Sequence, residues 1–237
     1  MTELFTDLET AILHTAEVDY SKILGNNEIV FAGEYHSNTA IKLHLATQAE
    51  ELRAAGFTHF AIELPSTINE KLKKLERGEQ VDQILAEDDS DYELMIQAMI
   101  RSGIIVRAID ITEQDYKTYT KEQREKAMTG NIARILITNH DAKILCLVGV
   151  LHAVTKFNRD GVPSVRKRFV DAGVPTATLF FHGGRKSELD LLFGESHFDK
   201  VVRQSDKVAV EWMIDNRKNK ITNFDREADW IVHLPPS

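Results

Sequence analysis

The sequence predicts an α/β fold with three layers, in which helices cover both faces of a mainly parallel central sheet. Apolar segments of strand length alternate with amphipathic segments of helix length along most of the chain, which is the order that βαβ units require. Two strand candidates, residues 28–34 and 143–149, are almost continuously apolar, as is typical of parallel strands buried on both faces. The 237 residues, 43% of them hydrophobic, can build one large core, so we expect a single α/β domain over residues 1–237.

The individual elements follow from hydrophobic periodicity and from turn and capping residues. Strands are predicted at 28–34, 58–63, 104–110, 143–149 and 175–181, with further candidates at 207–212 and 230–234. Helices are predicted at 3–14, 39–55, 92–102, 120–139 and 162–172. A charged, largely helical insertion at about 66–102 separates the second strand from the third. It is either a lid or a solvated surface, and charged segments are more often the latter.

The charge of the chain restricts its partners. There are 29 Lys and Arg residues against 37 Asp and Glu residues, for a net charge of −8 with histidines neutral. Nucleic acids and anionic membranes attract clustered cations, so we expect neither as a partner and instead expect a small-molecule substrate, with a homodimer left open. No apolar segment approaches the ~18 residues that span a bilayer, and the acidic N-terminus does not resemble a signal peptide, so we expect a cytoplasmic protein. The single cysteine, Cys146, lies in an apolar segment and is expected to be a buried, inert thiol.

Acidic residues and histidines follow the first four predicted strands at the points where these strands end. In chain order they are Glu34 and His36, Glu63, Asp110, and His152, which comes three residues after Gly149. Ligands of open parallel sheets bind in the crevice outside the carboxyl ends of the strands, so these side chains are expected to meet there. Carboxylates that lose hydration need partners, and two of them side by side repel unless a cation or a shared proton lies between them. The pattern therefore predicts a functional site.

Two chemistries fit the candidate catalytic set of Glu34, His36, Glu63 and His152. With a metal, these four residues are the candidate ligands of a divalent ion such as zinc, manganese or iron. Without one, a histidine oriented by a glutamate acts as general base and the second glutamate as acid. His36 is then the first choice of base, Glu34 its orienter, Glu63 the acid and His152 a second base. The chain lacks the His-Glu-x-x-His spacing of zinc proteases and the Gly-x-Ser-x-Gly element of serine hydrolases.

Five further residues are expected to contact substrate: Tyr35, His44, Arg107, Asp110 and Arg124. His44 lies about two helical turns after His36, where it either lines the site or lies on the surface. Arg107 interrupts an apolar strand and needs a partner, so it either holds a site carboxylate or closes an edge of the sheet. Arg124 lies on the long predicted helix, from which it can reach the site. Tyr35 is expected mainly to pack, although a phenolate can also ligate iron.

These motifs, taken together and in order, resemble a known superfamily. GEYHSN followed by His44, then GFTHFAIELP, REKAMTGNI and LCLVGVLHA, and GVP at residues 161–163, are similar to the superfamily that joins the haem-binding ChaN-like proteins, the erythromycin esterases and the Tiki metalloproteases. The resemblance covers roughly residues 29–163. It implies a three-layer α/β/α fold with the site at the strand ends. It also implies that Glu34 and His36 form the Gly-Glu-x-His element, that Glu63 ends the second strand and that His152 belongs to the Gly-x-x-His element.

The branches of this superfamily imply different activities. Erythromycin esterases are metal-independent hydrolases, Tiki proteins are metal-dependent peptidases, and ChaN-like proteins bind haem. The histidine comes one residue earlier here than in the esterases, and Ser37 stands where ChaN-like proteins usually have Asp, although GVP resembles their branch. We therefore expect a hydrolase of a small ester, lactone or amide, or an enzyme that eliminates or cyclises a biosynthetic intermediate. The alternative is a haem- or iron-binding protein, with Tyr35 or a site histidine as ligand.

Overall fold

One sheet, with eight strands among the described residues, organises the protein. The structure is a computed structural model that describes residues 16–34, 36, 39–85, 89–155, 161–182, 200–203 and 228–234. The strands are β1 Ala16–Glu17, β2 Ile29–Glu34, β3 His59–Pro65, β4 Ile105–Asp110, β5 Ile144–Gly149, β6 Thr176–His182, β7 Lys200–Arg203 and β8 Trp230–His233. Their order across the sheet is β1-β7-β8-β6-β2-β5-β3-β4. All pairings from β8 to β4 are parallel, and β7 pairs antiparallel with β1 and β8, so the predicted mainly parallel sheet is confirmed.

Helices lie on both faces of the sheet. They are α1 Tyr20–Leu24, α2 Thr39–Thr47, α3 Ala49–Ala54, α4 Asn69–Glu76, α5 Ser90–Arg101, α6 Lys121–Thr138, α7 Val150–Ala153 and α8 Val165–Asp171. Alternate residues of β2 enter different cores: Val30 packs with α1 to α5, whereas Phe31 packs with α6, α7 and α8. Because successive side chains of a strand point to opposite faces, these two cores lie on opposite sides of the sheet. The predicted three-layer α/β/α fold is therefore confirmed.

The centre of the sheet brings the carboxyl ends of the strands together. All six residues of β2 are buried, which explains their nearly continuous apolar sequence. Glu34 at the end of β2 is in register with Gly149 at the end of β5. One residue earlier, Gly33 leaves room for β6, because a Cβ there would lie 2.4 Å from the Phe180 ring. The strand ends that carry the predicted site are thus held side by side by backbone hydrogen bonds.

Most predicted elements of the described chain are found within a few residues of their expected bounds. The helix expected over 39–55 is two helices, α2 and α3, and α8 begins only after Ser164, whose side chain caps it by accepting a hydrogen bond from the Lys167 amide. The short helix α7, which carries His152, was not predicted. The helix expected at 3–14 and the strand expected at 207–212 lie outside the described residues.

The charged segment at 66–102 contains a 3₁₀ turn, Ser66–Ile68, and the helices α4 and α5. Residues Tyr92, Met95, Ile96 and Met99 of α5 are buried, and α5 packs against α2. The second half of this segment therefore belongs to the core on that face of the sheet. The extent of the domain stays a prediction. Among the described residues, no helix is long and apolar enough to cross a bilayer.

Candidate active site

Glu34, at the carboxyl end of β2, is the most deeply buried carboxylate of the cluster, with 2% of its surface exposed. Its Oε1 accepts a 2.7 Å hydrogen bond from the Tyr92 hydroxyl and lies 3.1 Å from His36 Nδ1. Its Oε2 lies 3.4 Å from Lys42 Nζ, an ammonium that is itself fully buried. A buried carboxylate needs polar or charged partners, and groups from α2 and α5 supply them to Glu34.

His36 is the accessible histidine of the site, with about half of its side chain exposed. Because Nδ1 faces Glu34, Nε2 points the other way, to 3.9 Å from Glu63 Oε2. The hydrogen bond with Glu34 and the charge of Glu63 raise the pKa of His36, and partial burial and the charge of Lys42 oppose this rise. Nε2 also lies close to Gly149, because a Cβ added at this glycine would lie 3.0 Å from Nε2. His36 is thus an imidazole oriented through Nδ1, and among the described residues its Nε2 has no hydrogen-bond partner.

Glu63, near the end of β3, lies at the centre of the cluster. Its Oε2 accepts a 2.6 Å hydrogen bond from the Gly149 amide, and its Oε1 lies 2.5 Å from Arg124 Nη2 and 3.3 Å from His152 Nε2. Burial alone would raise the pKa of Glu63, but the hydrogen bond with His152 and the charges of His152 and Arg124 lower it to about 2. Glu63 is therefore a fixed anion at neutral pH, and its predicted role as a proton donor does not fit this environment.

Arg124, on the first turns of α6, joins the ends of β3 and β4. Its Nε and Nη2 donate hydrogen bonds of 2.9 and 2.7 Å to the two oxygens of Asp110, and Nη2 also donates to Glu63. These bonds raise the pKa of Arg124 even though burial acts to lower it. The ring of Tyr116, a half-exposed residue, lies 4.8 Å from the guanidinium carbon. Among the described residues, Nη1 has no hydrogen-bond partner, so its N–H groups are available.

His152, on α7, is the buried histidine of the site. Its Nδ1 lies 2.8 Å from Glu125 Oε1 and its Nε2 lies 3.3 Å from Glu63 Oε1. Burial acts to lower the pKa of His152, but the hydrogen bonds with Glu125 and Glu63 outweigh it and raise the pKa to about 9. His152 is therefore an imidazolium at neutral pH. This charge state does not suit the second base that the sequence predicts at this position.

The structure thus brings together six of the predicted site residues: Glu34, His36, Glu63, Asp110, Arg124 and His152. It also shows three partners that the sequence did not indicate, namely Lys42, Tyr92 and Glu125. Lys42 lies within the apolar stripe of α2. A lysine at such a position is expected to be buried and therefore to have a charged or polar partner. Tyr92 and Glu125 carry no comparable signal, because Tyr92 resembles an ordinary core residue and Glu125 is one charge among several.

Two predicted substrate contacts lie elsewhere. His44 forms a 2.7 Å hydrogen bond with the Tyr20 hydroxyl and an edge-to-face contact with Phe181. Side chains two residues apart on an α-helix point about 200° apart around the helix axis. Because Lys42 faces Glu34, His44 points away from Glu34.

Arg107 donates a 2.7 Å hydrogen bond to Glu76 on α4 and another to its neighbouring backbone carbonyl. It therefore closes the free edge of β4, the second of the two roles that its sequence position allows. Tyr35 lies outside the described residues.

The arrangement does not fit a bound metal ion. Within the part of the chain that the structure describes, no group of three His, Cys, Asp or Glu side chains is placed to hold one. The cationic side chains of the protein already contact the atoms that would bind a metal. Arg124 and His152 both contact Oε1 of Glu63, and both ring nitrogens of His152 face carboxylates. Haem binding and an elimination or cyclisation stay predictions.

Comparisons with known proteins show the fold. No family model matches the chain, and no curated protein matches its sequence. A protein from Bacillus cereus is similar in structure with a TM-score of 0.67 at 10% identity, over 98% of this chain and 97% of that one. The type III effector HopBA1 is similar with a TM-score of 0.54 at 14% identity, over 92% of each chain. A structure of bacterial protein toxins matches with a TM-score of 0.50 at 18% identity, over 75% of this chain but 38% of that one.

Proposed function

We propose that the protein is a metal-independent hydrolase of a small ester, lactone or amide, in which His36 is the general base. The observation that carries this proposal is the pair of histidines on either side of Glu63. One is exposed, oriented by Glu34 and open at Nε2, and the other is buried and held as an imidazolium by two carboxylates. Two titratable groups whose environments separate their protonation states are typical of acid–base catalysis.

The gap between His36 Nε2 and Glu63 Oε2 is the proposed position of the attacking water. At 3.9 Å, the two acceptors are too far apart to bond directly, and one water can donate a hydrogen bond to each. Both lone pairs of the water oxygen then point away from the two acceptors, and one of them faces the carbonyl carbon of a bound substrate. Orientation of this kind lowers the barrier by fixing the reactants in an attacking geometry.

Charge that develops on the carbonyl oxygen needs a donor, and Arg124 Nη1 is the group available for it. Preorganised donors of this type are often the largest single contribution to catalysis of acyl transfer. His152 acts through Glu63, because its positive charge keeps that carboxylate ionised and placed beside Gly149.

The protons balance with His36 alone as the carrier. Nε2 takes one proton from the water as the water oxygen bonds to the carbonyl carbon. The bond from that carbon to the leaving oxygen or nitrogen then breaks, and the leaving group takes the proton back from His36. Acid and alcohol, or acid and amine, are released, and the imidazole is neutral again.

The proposal is tested with a panel of nitrophenyl esters, lactones and anilides and with protein treated with EDTA. We expect turnover that survives EDTA and that falls by about 10²–10⁴-fold in kcat/KM when His36→Ala removes the base. The exposed His140, replaced in His140→Ala, is the matched control and is expected to keep full turnover. Full activity of His36→Ala, or turnover that EDTA abolishes and a divalent metal restores, would contradict the proposal. Some structural neighbours are bacterial toxins or effectors, but at these identities they support the fold and not the substrate.

A further inference from the structure

We infer that Lys42 and Tyr92 are positioning residues for His36, and this inference rests on the proposed function. Together they hold the Glu34 carboxylate and the backbone at residue 36 so that the Nε2 lone pair of His36 faces the reacting water. Neither residue belongs to a strand end. Each is supplied by a helix, Lys42 by α2 and Tyr92 by α5.

Lys42 makes two contacts that bear on His36. Its Nζ donates a hydrogen bond to the His36 carbonyl oxygen and lies 3.4 Å from Glu34 Oε2. One buried ammonium therefore binds both the carboxylate that orients the imidazole and the backbone that carries it. Burying the charged group of a lysine costs free energy, which polar or charged partners must compensate. A residue that served only to pack in the core would not need this charge. Lys42 is buried, with 1% of its surface exposed, and its Nζ also lies 4.4 Å from the centre of the Tyr92 ring.

Tyr92 and His36 contact the same oxygen of the Glu34 carboxylate. Glu34 Oε1 accepts the 2.7 Å hydrogen bond from the Tyr92 hydroxyl and lies 3.1 Å from His36 Nδ1, and the hydroxyl itself is 3.5 Å from Nδ1. The Tyr92 ring lies 4.4 Å from Lys42 Nζ, so the two positioning residues also contact each other. Burial and the charge of Glu34 raise the pKa of Tyr92, which keeps the phenol protonated and therefore a donor.

This geometry selects one tautomer of neutral His36. Glu34 Oε1 faces Nδ1, so Nδ1 carries the hydrogen and Nε2 keeps the lone pair that acts as base. Without Lys42 or the Tyr92 hydroxyl, the carboxylate of Glu34 is free to rotate and the second tautomer becomes populated. That tautomer places its hydrogen on Nε2 and is inactive as a base toward the water.

The experiment combines kinetics with ¹⁵N NMR of the His36 ring in Tyr92→Phe, Lys42→Met and Lys42→Arg proteins. We expect kcat to fall by about tenfold in Tyr92→Phe and by about 10²-fold in Lys42→Met, with KM changed by less than about twofold, because only the base is misplaced. Lys42→Arg keeps the charge and is expected to restore part of kcat. In the NMR spectra, the fraction of Nε2–H tautomer is expected to rise in both Tyr92→Phe and Lys42→Met.

The matched control is Tyr20→Phe, which removes another buried tyrosine hydroxyl bonded to a histidine, 2.7 Å from His44, and should change neither readout. An unchanged tautomer and unchanged kcat in Tyr92→Phe would overturn the inference, and this holds even if Lys42→Met does not fold. The ring spectrum needs no substrate. If the wild-type protein hydrolyses nothing in the panel, the proposed function fails, while the tautomer shift still decides whether these residues position His36.

Discussion

Glu125 and Glu63 together set the charge of the buried histidine. A histidine buried without carboxylates loses its proton, because burial disfavours the charged form. Here Glu125, itself buried on α6, lies 2.8 Å from Nδ1, and Glu63 lies 3.3 Å from Nε2. Glu63 also binds Arg124, and Glu125 supplies His152 with a second carboxylate, at Nδ1. The protonation of His152 is therefore set in part by Glu125, a residue outside the strand ends.

Replacing Glu125 by Gln is expected to lower the pKa of His152 from about 9 toward its ordinary value, by about one unit or more. In the proposed mechanism, activity requires neutral His36 and charged His152, so the wild-type pH–rate profile should be a bell. Its lower limb lies above pH 6.5, because Glu34 raises the pKa of His36, and its upper limb lies near pH 9. Glu125→Gln should move only the upper limb to lower pH.

Glu122→Gln, which removes a surface ion pair with Lys126 on the same helix, is the control. An upper limb that stays in place would show that His152 does not control it.

At the scale of secondary structure elements, the sequence predicts the strand ends well and the helical contributions poorly. Strands buried on both faces are apolar until they reach the crevice, so the polar residues that end them, such as Glu34 and Asp110, are visible in the sequence. The side of a helix that faces the site depends on how it packs. The apolar stripe of α2 marks Lys42 as a buried cation, but the sequence does not show that its partner is Glu34, nor that Tyr92 lies beside the same carboxylate.

The turn from β5 into α7 gives a prediction at this scale, because Gly149 lies directly beneath the proposed water. Its φ of −54° suits any residue, so an alanine there causes no backbone strain. The added Cβ would lie 3.0 Å from His36 Nε2 and 3.4 Å from Glu63 Oε2, inside the gap that the water needs. We expect Gly149→Ala to reduce kcat/KM by about 10²-fold or more while Tm changes by less than a few degrees. Gly130→Ala on α6, where a Cβ would meet nothing within 4 Å, is the control and should stabilise the protein by about 0.5–1 kcal/mol. Full activity of Gly149→Ala would place the reacting water elsewhere.

At the scale of the whole molecule, the layer architecture follows from the alternation of strands and helices, but the order of the strands does not. The sequence cannot show that β8 pairs with β6, because that pairing joins segments about 50 residues apart without a recognisable turn signal.

Once the order of the strands is known, the charges of the site can be counted. Glu34, Glu63, Asp110 and Glu125 face the cations of Lys42, Arg124 and His152, so the site lies close to neutrality with one accessible imidazole. A nearly neutral crevice suits an uncharged carbonyl substrate in a chain with a net charge of −8.

The same network links the stability of the whole protein to pH. The pKa of His152 is raised from 6.5 to about 9 in the folded state, so its contribution to stability is fully present below pH 6.5 and is lost as the pH rises through 9. The pKa of Glu63 is lowered from 4.5 to about 2, so its contribution is present above pH 4.5 and is lost as the pH falls through 2. Both contributions are complete between pH 4.5 and 6.5. Between pH 6 and pH 10 the difference in unfolding free energy between the wild type and His152→Gln reports mainly on the histidine, since Glu63 keeps its cationic partner Arg124 in both proteins. We expect this difference to shrink by on the order of 2–3 kcal/mol between pH 6 and pH 10, measured by urea unfolding. The exposed His140, replaced in His140→Gln, is the control, and a constant difference for His152→Gln would mean that folding does not shift the pKa of His152.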